Sequence, residues 1–179
     1  MQKRHTDRES YFDEQSQTSK NYYIPYIKEV IGHIPDKVLE VGCGEGGNLL
    51  PFAEAGCRVM GVDIDATRIE QARTFFAQRH QQGQFIATDI FQLKDKATNF
   101  PLILLHDVIE HIRDKERFFS GLQEHLSADG AVFVGFPAWQ MPFGGHQQIA
   151  HSHIVSHFPF LHLLPRTLYR WIFLESFLF

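Results

Sequence analysis

The stretch VLEVGCGEGGNL, residues 38–49, constrains the fold more than any other part of the chain. An apolar run, which predicts a strand, breaks into four glycines within six positions. Gly42, Gly44 and Gly47 satisfy the pattern G-x-G-x-x-G, in which glycine lets the backbone turn tightly and lets a ligand approach it closely. The pattern predicts a binding turn between a strand and a helix, and a tight turn without a ligand is the alternative.

Short predicted strands alternate with predicted helices from residue 37 onward. The strands are Lys37–Val41, Arg58–Asp63, Gln84–Thr88, Leu102–His106 and Ala131–Phe136, and the helices are Gly47–Ala55, Ala66–Gln82 and Lys115–Leu126. This alternation is typical of an α/β fold with a doubly wound parallel sheet. Such sheets bind ligands beyond the carboxyl ends of their strands, which is where the glycine turn would lie.

The length of 179 residues fits one domain with a sizeable core. Residues 1–19 are polar and predict an N-terminal arm that is either mobile or weakly helical. Residues 20–137 hold the predicted binding domain, with a short helix after Pro25. Residues 138–179 predict a loop and an apolar helical tail of the same domain.

Charge and cysteine content narrow the classes of partner. The formal net charge is −4 and no basic stripe occurs, so no nucleic-acid partner is expected. Cys43 and Cys57 indicate neither a disulfide framework nor a zinc site, and the polar N-terminus lacks the apolar segment of a signal peptide. We therefore expect a cytoplasmic protein.

The apolar stretch at residues 158–179 is interrupted by His162, Pro165, Arg166, Arg170 and Glu175. It contains no uninterrupted apolar run of the ~20 residues that a membrane-spanning helix requires. We expect no transmembrane span, and peripheral contact of this tail with a membrane stays open.

Two acids near the glycine turn select among ligands. Asp63 lies about 20 residues beyond the turn, at the end of the next predicted strand, where a carboxylate binds the hydroxyls of a ribose. Glu40 stands in the strand before the turn and would repel the pyrophosphate of a dinucleotide. S-adenosylmethionine (SAM) carries a positive sulfonium and ammonium, so Glu40 favours SAM. It would orient the loop or reach the ammonium through water, and capping of loop amides is its alternative role.

These motifs resemble those of class I SAM-dependent methyltransferases. The matching segments are VLEVGCGEGGNL, GVDID, FIATDIF, PLILLHDVIEHI and GAVFVGFP, in the family's order, over residues 36–137. The resemblance implies a Rossmann-like doubly wound parallel sheet of strand order 3-2-1-4-5. It also implies SAM as the cofactor, S-adenosylhomocysteine (SAH) as its product, and methyl transfer to a small-molecule, sugar or lipid-precursor acceptor, with oxygen as the expected acceptor atom.

Carried over position by position, the resemblance implies these cofactor-binding residues: Glu40, Gly42, Cys43, Gly44, Asp63, Ile64, Asp89, Ile90 and His106. The glycine turn would lie under the methionine portion of SAM, and His106 would lie near the sulfonium. Asp63 would bind the ribose, Ile64 would pack on the adenine, and Asp89 would bind the adenine amino group with Ile90 beside it. The residues alone leave a helix N-cap open for Asp89 and core packing open for the two isoleucines.

The segment HDVIEHI, residues 106–112, holds the candidate catalytic groups His106 and His111. His111 is the expected general base, because imidazole titrates near neutral pH. Asp107, Glu110 and His111 would share one helical face. The segment resembles that of ubiquinone-pathway O-methyltransferases, where two acids and a histidine at this spacing are associated with a divalent metal, although an Asp replaces the usual first Glu. The favoured alternative is a helix start with Asp107 as N-cap and Glu110 completing a capping box, so no metal is expected.

The loop after Pro137 predicts the acceptor site. It follows the carboxyl end of the last strand, and Trp139, Phe143 and His146 would form the walls of a substrate pocket. Its glycines would let it close as a lid. The histidines of the following segment, HSHIVSH, do not match a zinc motif and are expected to be solvated.

Class I methyltransferases usually end with an antiparallel hairpin beside the fifth strand, and no hairpin signal follows Pro137. We therefore expect the hairpin to be missing or truncated, leaving a sheet edge that favours a homodimer. Two alternatives to methyl transfer stay open. One is an NAD-type oxidoreductase, which Glu40 and the lack of a second nucleotide-binding half disfavour, and the other is a non-catalytic SAM-binding module.

Overall fold

The structure is a computed structural model that describes residues 7–93, 98–138, 140–142, 157–165 and 167–170. The chain divides into two compact units, Gln2–Phe136 and Pro137–Phe179. In the described part of the second unit, a 3₁₀ turn spans Leu161–Leu163 and the Phe160 N–H donates to the Pro142 carbonyl at 2.6 Å. No helix within the described ranges is long and apolar enough to cross a membrane.

Five parallel strands form the sheet of the first unit: β1 (Lys37–Val41), β2 (Arg58–Asp63), β3 (Gln84–Ala87), β4 (Phe100–His106) and β5 (Leu126–Gly135). Their order across the sheet is β3-β2-β1-β4-β5, and each neighbouring pair runs parallel. The chain reverses its direction of winding between β1 and β4, which makes this pair the switch point of the sheet. The predicted doubly wound sheet and its strand order are confirmed.

Within the described part of the first unit, five α-helices accompany the strands: α1 (Arg8–Thr18), α2 (Ile24–Ile31), α3 (Leu50–Glu54), α4 (Ala66–Gln78) and α5 (Lys115–Gln123). One apolar layer unites α1 to α4 with one face of the sheet, and the other layer holds α5. Residues of β4 alternate between them, with Leu102 and Leu104 in the first layer and Ile103 and Leu105 in the second. A strand that is buried on both faces therefore reads as a continuous apolar run.

Of the two alternatives for the N-terminal arm, the helical one is present over Arg8–Thr18, and this helix packs on the core. Residues 8–18 form a regular helix in which Phe12 is 0% exposed and packs against the rings of Phe75 and Phe76. A π-helical turn, Ser19–Tyr23, leads into α2, which carries Pro25 in its first turn as expected. The polar sequence concealed this helix because a single aromatic ring supplies most of its apolar contact.

Several element boundaries differ from those predicted. A 3₁₀ turn, Gly47–Leu49, follows the glycines, so α3 begins only at Leu50. Helix α4 ends at Gln78 rather than at the predicted Gln82, because His80 adopts a left-handed φ of 54°. Strand β5 begins at Leu126, inside the predicted helix, and its pairing with β4 contains a register shift. The polar residues at that shift hid the start of the strand from the apolar pattern.

Candidate cofactor-binding site at the carboxyl edge of the sheet

The glycine turn follows β1 in a conformation that glycine adopts without steric cost. Gly42, Gly44 and Gly46 have φ values of 72°, 52° and 81°, all in the left-handed region. Gly47 has a different role, because a Cβ there would lie 2.5 Å from the Phe12 carbonyl oxygen. The motif therefore serves both the turn itself and the close approach of α1.

The amide groups of the turn are bonded within the protein. Gly42 and Cys43 donate their N–H groups to the Val62 carbonyl at 2.8 and 3.1 Å. The Gly44 N–H donates to Oδ2 of Asp63 at 2.8 Å. A phosphate cradle requires such groups to be free for the anion. Residues 42–44 therefore do not offer a pyrophosphate site.

The side chain of Cys43 is packed beneath the glycine turn. Its side chain is 2% exposed, and a Cβ at Gly61 would lie 2.6 Å from the Cys43 sulfur. Burial raises the pKa of the Cys43 thiol well above its ordinary value. The side chain is thus a packed, neutral thiol beneath the turn.

Glu40 is buried beneath the turn, with 1% of its surface exposed. Its Oε1 accepts a hydrogen bond from Nδ2 of Asn48, in the 3₁₀ turn, at 2.7 Å. Glu40 thus holds a side-chain amide instead of capping the loop amides. Among the described residues, Oε2 of Glu40 and Oδ1 of Asn48 have no hydrogen-bond partner. Two buried oxygen atoms without hydrogen-bond partners are costly, and a ligand that brings N–H groups would satisfy them.

The electrostatics at Glu40 favour a cation. Burial raises the pKa of Glu40 to about 8; the Asn48 hydrogen bond opposes this rise, and the charge of Asp63 adds to it. A positive group beside Oε2 would lower that pKa again, because an opposite charge favours the ionised carboxylate. The buried carboxyl of Glu40 under the turn therefore suits an ammonium better than a phosphate.

Asp63 is held in place by backbone donors at the end of β2. Its Oδ2 accepts from the Gly44 N–H at 2.8 Å and its Oδ1 from the Asp65 N–H at 2.9 Å. An ionised carboxylate has about four lone-pair positions, so each oxygen keeps capacity for a ligand hydroxyl. The fixed orientation fits the predicted ribose contact.

The residues assigned to the adenine differ in exposure. Ile64 is 83% exposed directly after Asp63, so an apolar surface is available there for a flat ring. Asp89 is exposed and caps a 3₁₀ turn by accepting the Phe91 N–H at 3.0 Å. Ile90 is 7% exposed and packs in the α5 layer. The alternative roles left open by the sequence, an N-cap and core packing, are thus present at Asp89 and Ile90.

The carboxyl end of β4 is strained. Asp107 has a φ of 54°, which is unusual for a residue other than glycine, and its N–H donates to the Gly135 carbonyl at 3.0 Å. Nδ1 of His106 lies 3.7 Å from Oδ2 of Asp107. Gly135 provides room for the imidazole, because a Cβ there would lie 3.0 Å from Cδ2 of His106. Strain of this kind clusters at active sites.

The predicted helical face of Asp107, Glu110 and His111 is wrong. Only a 3₁₀ turn, Ile109–His111, follows β4, and it has no side-chain cap. Helix α5 starts later, with Asp114 as its N-cap. Asp107 therefore caps no helix and forms no capping box with Glu110, because its left-handed backbone leads the chain away from a helical path.

The same trio does not fit a metal ion as it stands. Within the described ranges, no three His, Cys, Asp or Glu side chains are placed to hold a metal. Asp107 and His111 are exposed, whereas both carboxylate oxygens of Glu110 are buried without a hydrogen-bond partner among the described residues.

A buried ion-pair cluster joins the glycine turn to two helices, and sequence reasoning missed it. Glu45 is 1% exposed and accepts from Nε of Arg8, in α1, at 2.6 Å. Nε of Arg68, in α4, lies 3.6 Å from the same carboxylate oxygen. Glu45 occupies a variable position of the motif and its partners are distant in sequence, so local spacing carries no signal for the cluster.

The predicted walls of the acceptor pocket, Trp139, Phe143 and His146, lie outside the described residues. Most of the segment expected to lack a hairpin lies outside them as well. The acceptor site therefore remains a prediction from the sequence.

Comparison with known proteins identifies the family. A family model described as "Methyltransferase domain" matches residues 39–132, which include the glycine turn, Asp63 and the end of β4. The chain belongs to this methyltransferase family.

Two relatives are ubiquinone biosynthesis O-methyltransferases. The one from Bartonella quintana is 32% identical over 118 residues, covering 63% of this chain and 48% of the relative. The one from Brucella ovis is 34% identical over 98 residues, covering 55% of this chain and 40% of the relative. The methyltransferase chain thus spans about half the length, or less, of these relatives.

Solved structures share the fold. PKMT2 from Rickettsia typhi, in complex with AdoHcy, superposes with a TM-score of 0.57 at 28% identity, over 65% of this chain and 25% of that chain. The PH0226 protein from Pyrococcus horikoshii OT3 gives a TM-score of 0.58 at 26% identity, over 66% of this chain and 56% of that chain. Coclaurine N-methyltransferase bound to N-methylheliamine and SAH, at 24% identity and a TM-score of 0.55, supports the fold alone. The Rossmann-like methyltransferase fold is confirmed.

Proposed function

We propose that the chain carries out SAM-dependent methyl transfer to oxygen of a small-molecule, sugar or lipid-precursor acceptor. The observation that carries this proposal is the buried pair of Glu40 and Asn48 beneath a turn whose amides are already bonded. The pair suits an ammonium, and the bonded amides disfavour the pyrophosphate of an NAD-type cofactor. Relatives named as O-methyltransferases and a neighbour crystallised with AdoHcy support it.

The residues that would hold SAM follow the edge of the sheet. Glu40 would bind the ammonium through Oε2, directly or through a water, and Asp63 would bind the ribose hydroxyls. Ile64 would lie against the adenine, and Asp89 would accept from its amino group. When bound, SAM supplies a methyl group on a sulfonium, which is a good leaving group.

The remaining task of the protein is to align the acceptor and to take its proton. Positioning alone can contribute several kcal/mol to an in-line displacement, and a base assists when the acceptor is a hydroxyl. His106 and His111 are the base candidates. His106 is the last residue of β4, and His111 ends the 3₁₀ turn that follows. Replacing each histidine by Ala in turn would identify the base, since loss of the base should lower turnover. SAM affinity should stay unchanged in His111→Ala, whereas His106→Ala should also weaken SAM binding if His106 lies near the sulfonium.

Calorimetric titration with SAM, SAH and NADH tests the cofactor. We expect SAM and SAH to bind and NADH to give no heat. Binding of NADH in place of both sulfur compounds would overturn the proposal in favour of an oxidoreductase. Transfer of tritiated methyl from SAM to a panel of hydroxyl-bearing acceptors then separates an enzyme from a non-catalytic SAM-binding module.

Two further hypotheses concern partners. We propose that the chain self-associates through its sheet edge and that its apolar tail contacts membrane surfaces; both follow from the sequence. Light scattering tests the first, where a monomer would contradict it. Co-sedimentation with lipid vesicles tests the second.

A further inference from the structure

The ring of Tyr23 lies at the switch point of the sheet. Open α/β sheets bind ligands where the strand order reverses, which here is between β1 and β4. The Tyr23 ring centroid is 5.6 Å from that of His106, at the end of β4. On β5, the Phe133 ring centroid is 4.8 Å from that of Tyr23. Tyr23 is therefore held beside the histidine assigned to the methyl end of the cofactor.

The segment that carries Tyr23 is attached to the glycine turn. Tyr23 ends the π-helical turn, a rare conformation that often occurs at functional sites. Ser19, at the other end of this turn, is 0% exposed and donates its hydroxyl to the Asn48 carbonyl at 2.8 Å. The Asn48 side chain in turn holds Glu40. One set of buried contacts thus connects Tyr23 with the acid beneath the glycine turn.

The half-buried side chain of Tyr23 is fixed through its ring. The contacts of Tyr23 are ring contacts, and its hydroxyl makes no hydrogen bond within the described part of the chain. Burial, followed by the charges of Asp107 and Glu40, raises the pKa of Tyr23 to about 12. The hydroxyl consequently stays protonated near neutral pH, so it serves as a hydrogen-bond donor rather than as a base.

We propose that Tyr23 is a cofactor-binding residue whose hydroxyl donates a hydrogen bond to the carboxylate of the amino-acid end of SAM. The inference rests on the proposed function. The ammonium and carboxylate of SAM share one carbon atom, so an ammonium at Glu40 places the carboxylate close by. Glu40 and Asp107 would repel that carboxylate, and a neutral donor fixed beside them offsets the repulsion.

The test uses a variant that removes one oxygen atom. Tyr23→Phe keeps the ring contacts and deletes the hydroxyl. Calorimetry would compare SAH with 5′-methylthioadenosine, which has the adenosine and the sulfur but lacks the amino-acid portion. We expect the Kd for SAH to rise about tenfold or more, as for a lost hydrogen bond to a charged group, and that for 5′-methylthioadenosine to stay unchanged. Tyr22→Phe, at a neighbouring side chain that is 69% exposed, should change neither value.

The outcomes separate this inference from the proposed function. Unchanged SAH affinity in Tyr23→Phe would overturn the inference, and so would an equal loss for both ligands, which would indicate altered packing. Thermal melting close to wild type would show that the fold persists. If the wild-type chain binds no SAH at all, the proposed function fails and the inference fails with it.

Discussion

The strand ends on either side of β1 are built in opposite ways. At the end of β2, both carboxylate oxygens of Asp63 are held by backbone N–H groups. At the end of β4, Asp107 has a left-handed backbone, and the buried oxygens of Glu110 have no partner among the described residues. The β2 end is preorganised before a ligand arrives, whereas the β4 end keeps strain and unsatisfied acceptors. The difference indicates that backbone donors alone fix the carboxylate at the β2 end, the end proposed to hold the cofactor, whereas the β4 end, proposed for the reaction, keeps groups that the described residues do not satisfy.

The largest effect is expected at the preorganised end. Asp63→Ala removes the proposed ribose contact and also the acceptor of the Gly44 N–H. Hydrogen bonds to a charged group contribute roughly 1.5–3 kcal/mol each, so the Kd for SAH should rise about 100-fold or more. Isothermal titration calorimetry measures this change.

Asp65 offers a matched control for Asp63. Its carboxylate caps α4 by accepting from the N–H groups of Thr67 and Arg68. Asp65→Ala should lower the melting temperature and leave SAH binding close to wild type. Wild-type SAH affinity in Asp63→Ala would show that the β2 end does not hold the ribose.

The ion-pair cluster of Glu45 with Arg8 and Arg68, at the glycine turn, is expected to give the next largest effect. Arg8→Ala leaves the buried Glu45 with Arg68 alone. Loss of one partner of a buried pair costs about 3–5 kcal/mol, and we expect about 2 kcal/mol because Arg8 is partly exposed. Urea unfolding measures the loss. Arg58→Ala breaks an ion pair in which both side chains are 74% exposed and should hardly change the free energy of unfolding. Equal losses of unfolding free energy in the two variants would show that the ion pairs of Glu45 do not stabilise the glycine turn.

Glu40 makes the free energy of unfolding depend on pH, and substitution of Glu40 should show whether stability rises or falls with pH. Its pKa is about 8 in the folded protein, against an ordinary value of 4.5. Between these values the folded state keeps a proton that the unfolded state loses, so Glu40 lowers stability as pH rises from about 5 to about 8. The melting temperature of Glu40→Gln should therefore exceed that of the wild type by a margin that grows as the pH rises over this range. Parallel melting curves for the two proteins would contradict the raised pKa.

The same substitution should weaken SAM binding by about tenfold, as expected for a lost charge-assisted hydrogen bond. In the wild type an ammonium beside Glu40 lowers its pKa, so binding releases a proton and affinity should rise from about pH 6 to about pH 8. Glu40→Gln should show no such rise. Calorimetry in buffers of different ionisation enthalpy measures the released proton.

The smallest effect is expected at the strained end. Asp107→Gly removes the steric strain of a left-handed backbone conformation and should raise the free energy of unfolding by up to about 1 kcal/mol. The greater conformational entropy of glycine in the unfolded chain reduces this gain. His80→Gly relieves a similar backbone at the end of α4, far along the chain from β4. Chemical denaturation should show similar gains, while methyl transfer should fall only in Asp107→Gly. Equal activity of both variants would show that the strain at β4 has no role in the reaction.

The apolar runs and glycines were sufficient to predict the parallel sheet and the position of the turn, whereas its strand order was implied by the resemblance to class I methyltransferases. Buried parallel strands and left-handed glycines are local requirements, so they leave a local record in the sequence. Helix α1 left little record, because its burial depends on Phe12 meeting α4 across the fold. The segment after β4 was misjudged for a related reason, since its acids matched a helical spacing that Asp107 interrupts.

The sequence by itself determined the doubly wound sheet, the binding turn and the acid at the end of β2. Only the tertiary structure decided that the amides of the turn are already bonded, that Glu40 shares its burial with Asn48, and that the N-terminal segment brings Arg8 and Tyr23 to the site. The physical reason is range. Backbone periodicity acts between neighbours along the chain, whereas the electrostatics of a buried carboxylate depend on every group that folding places around it.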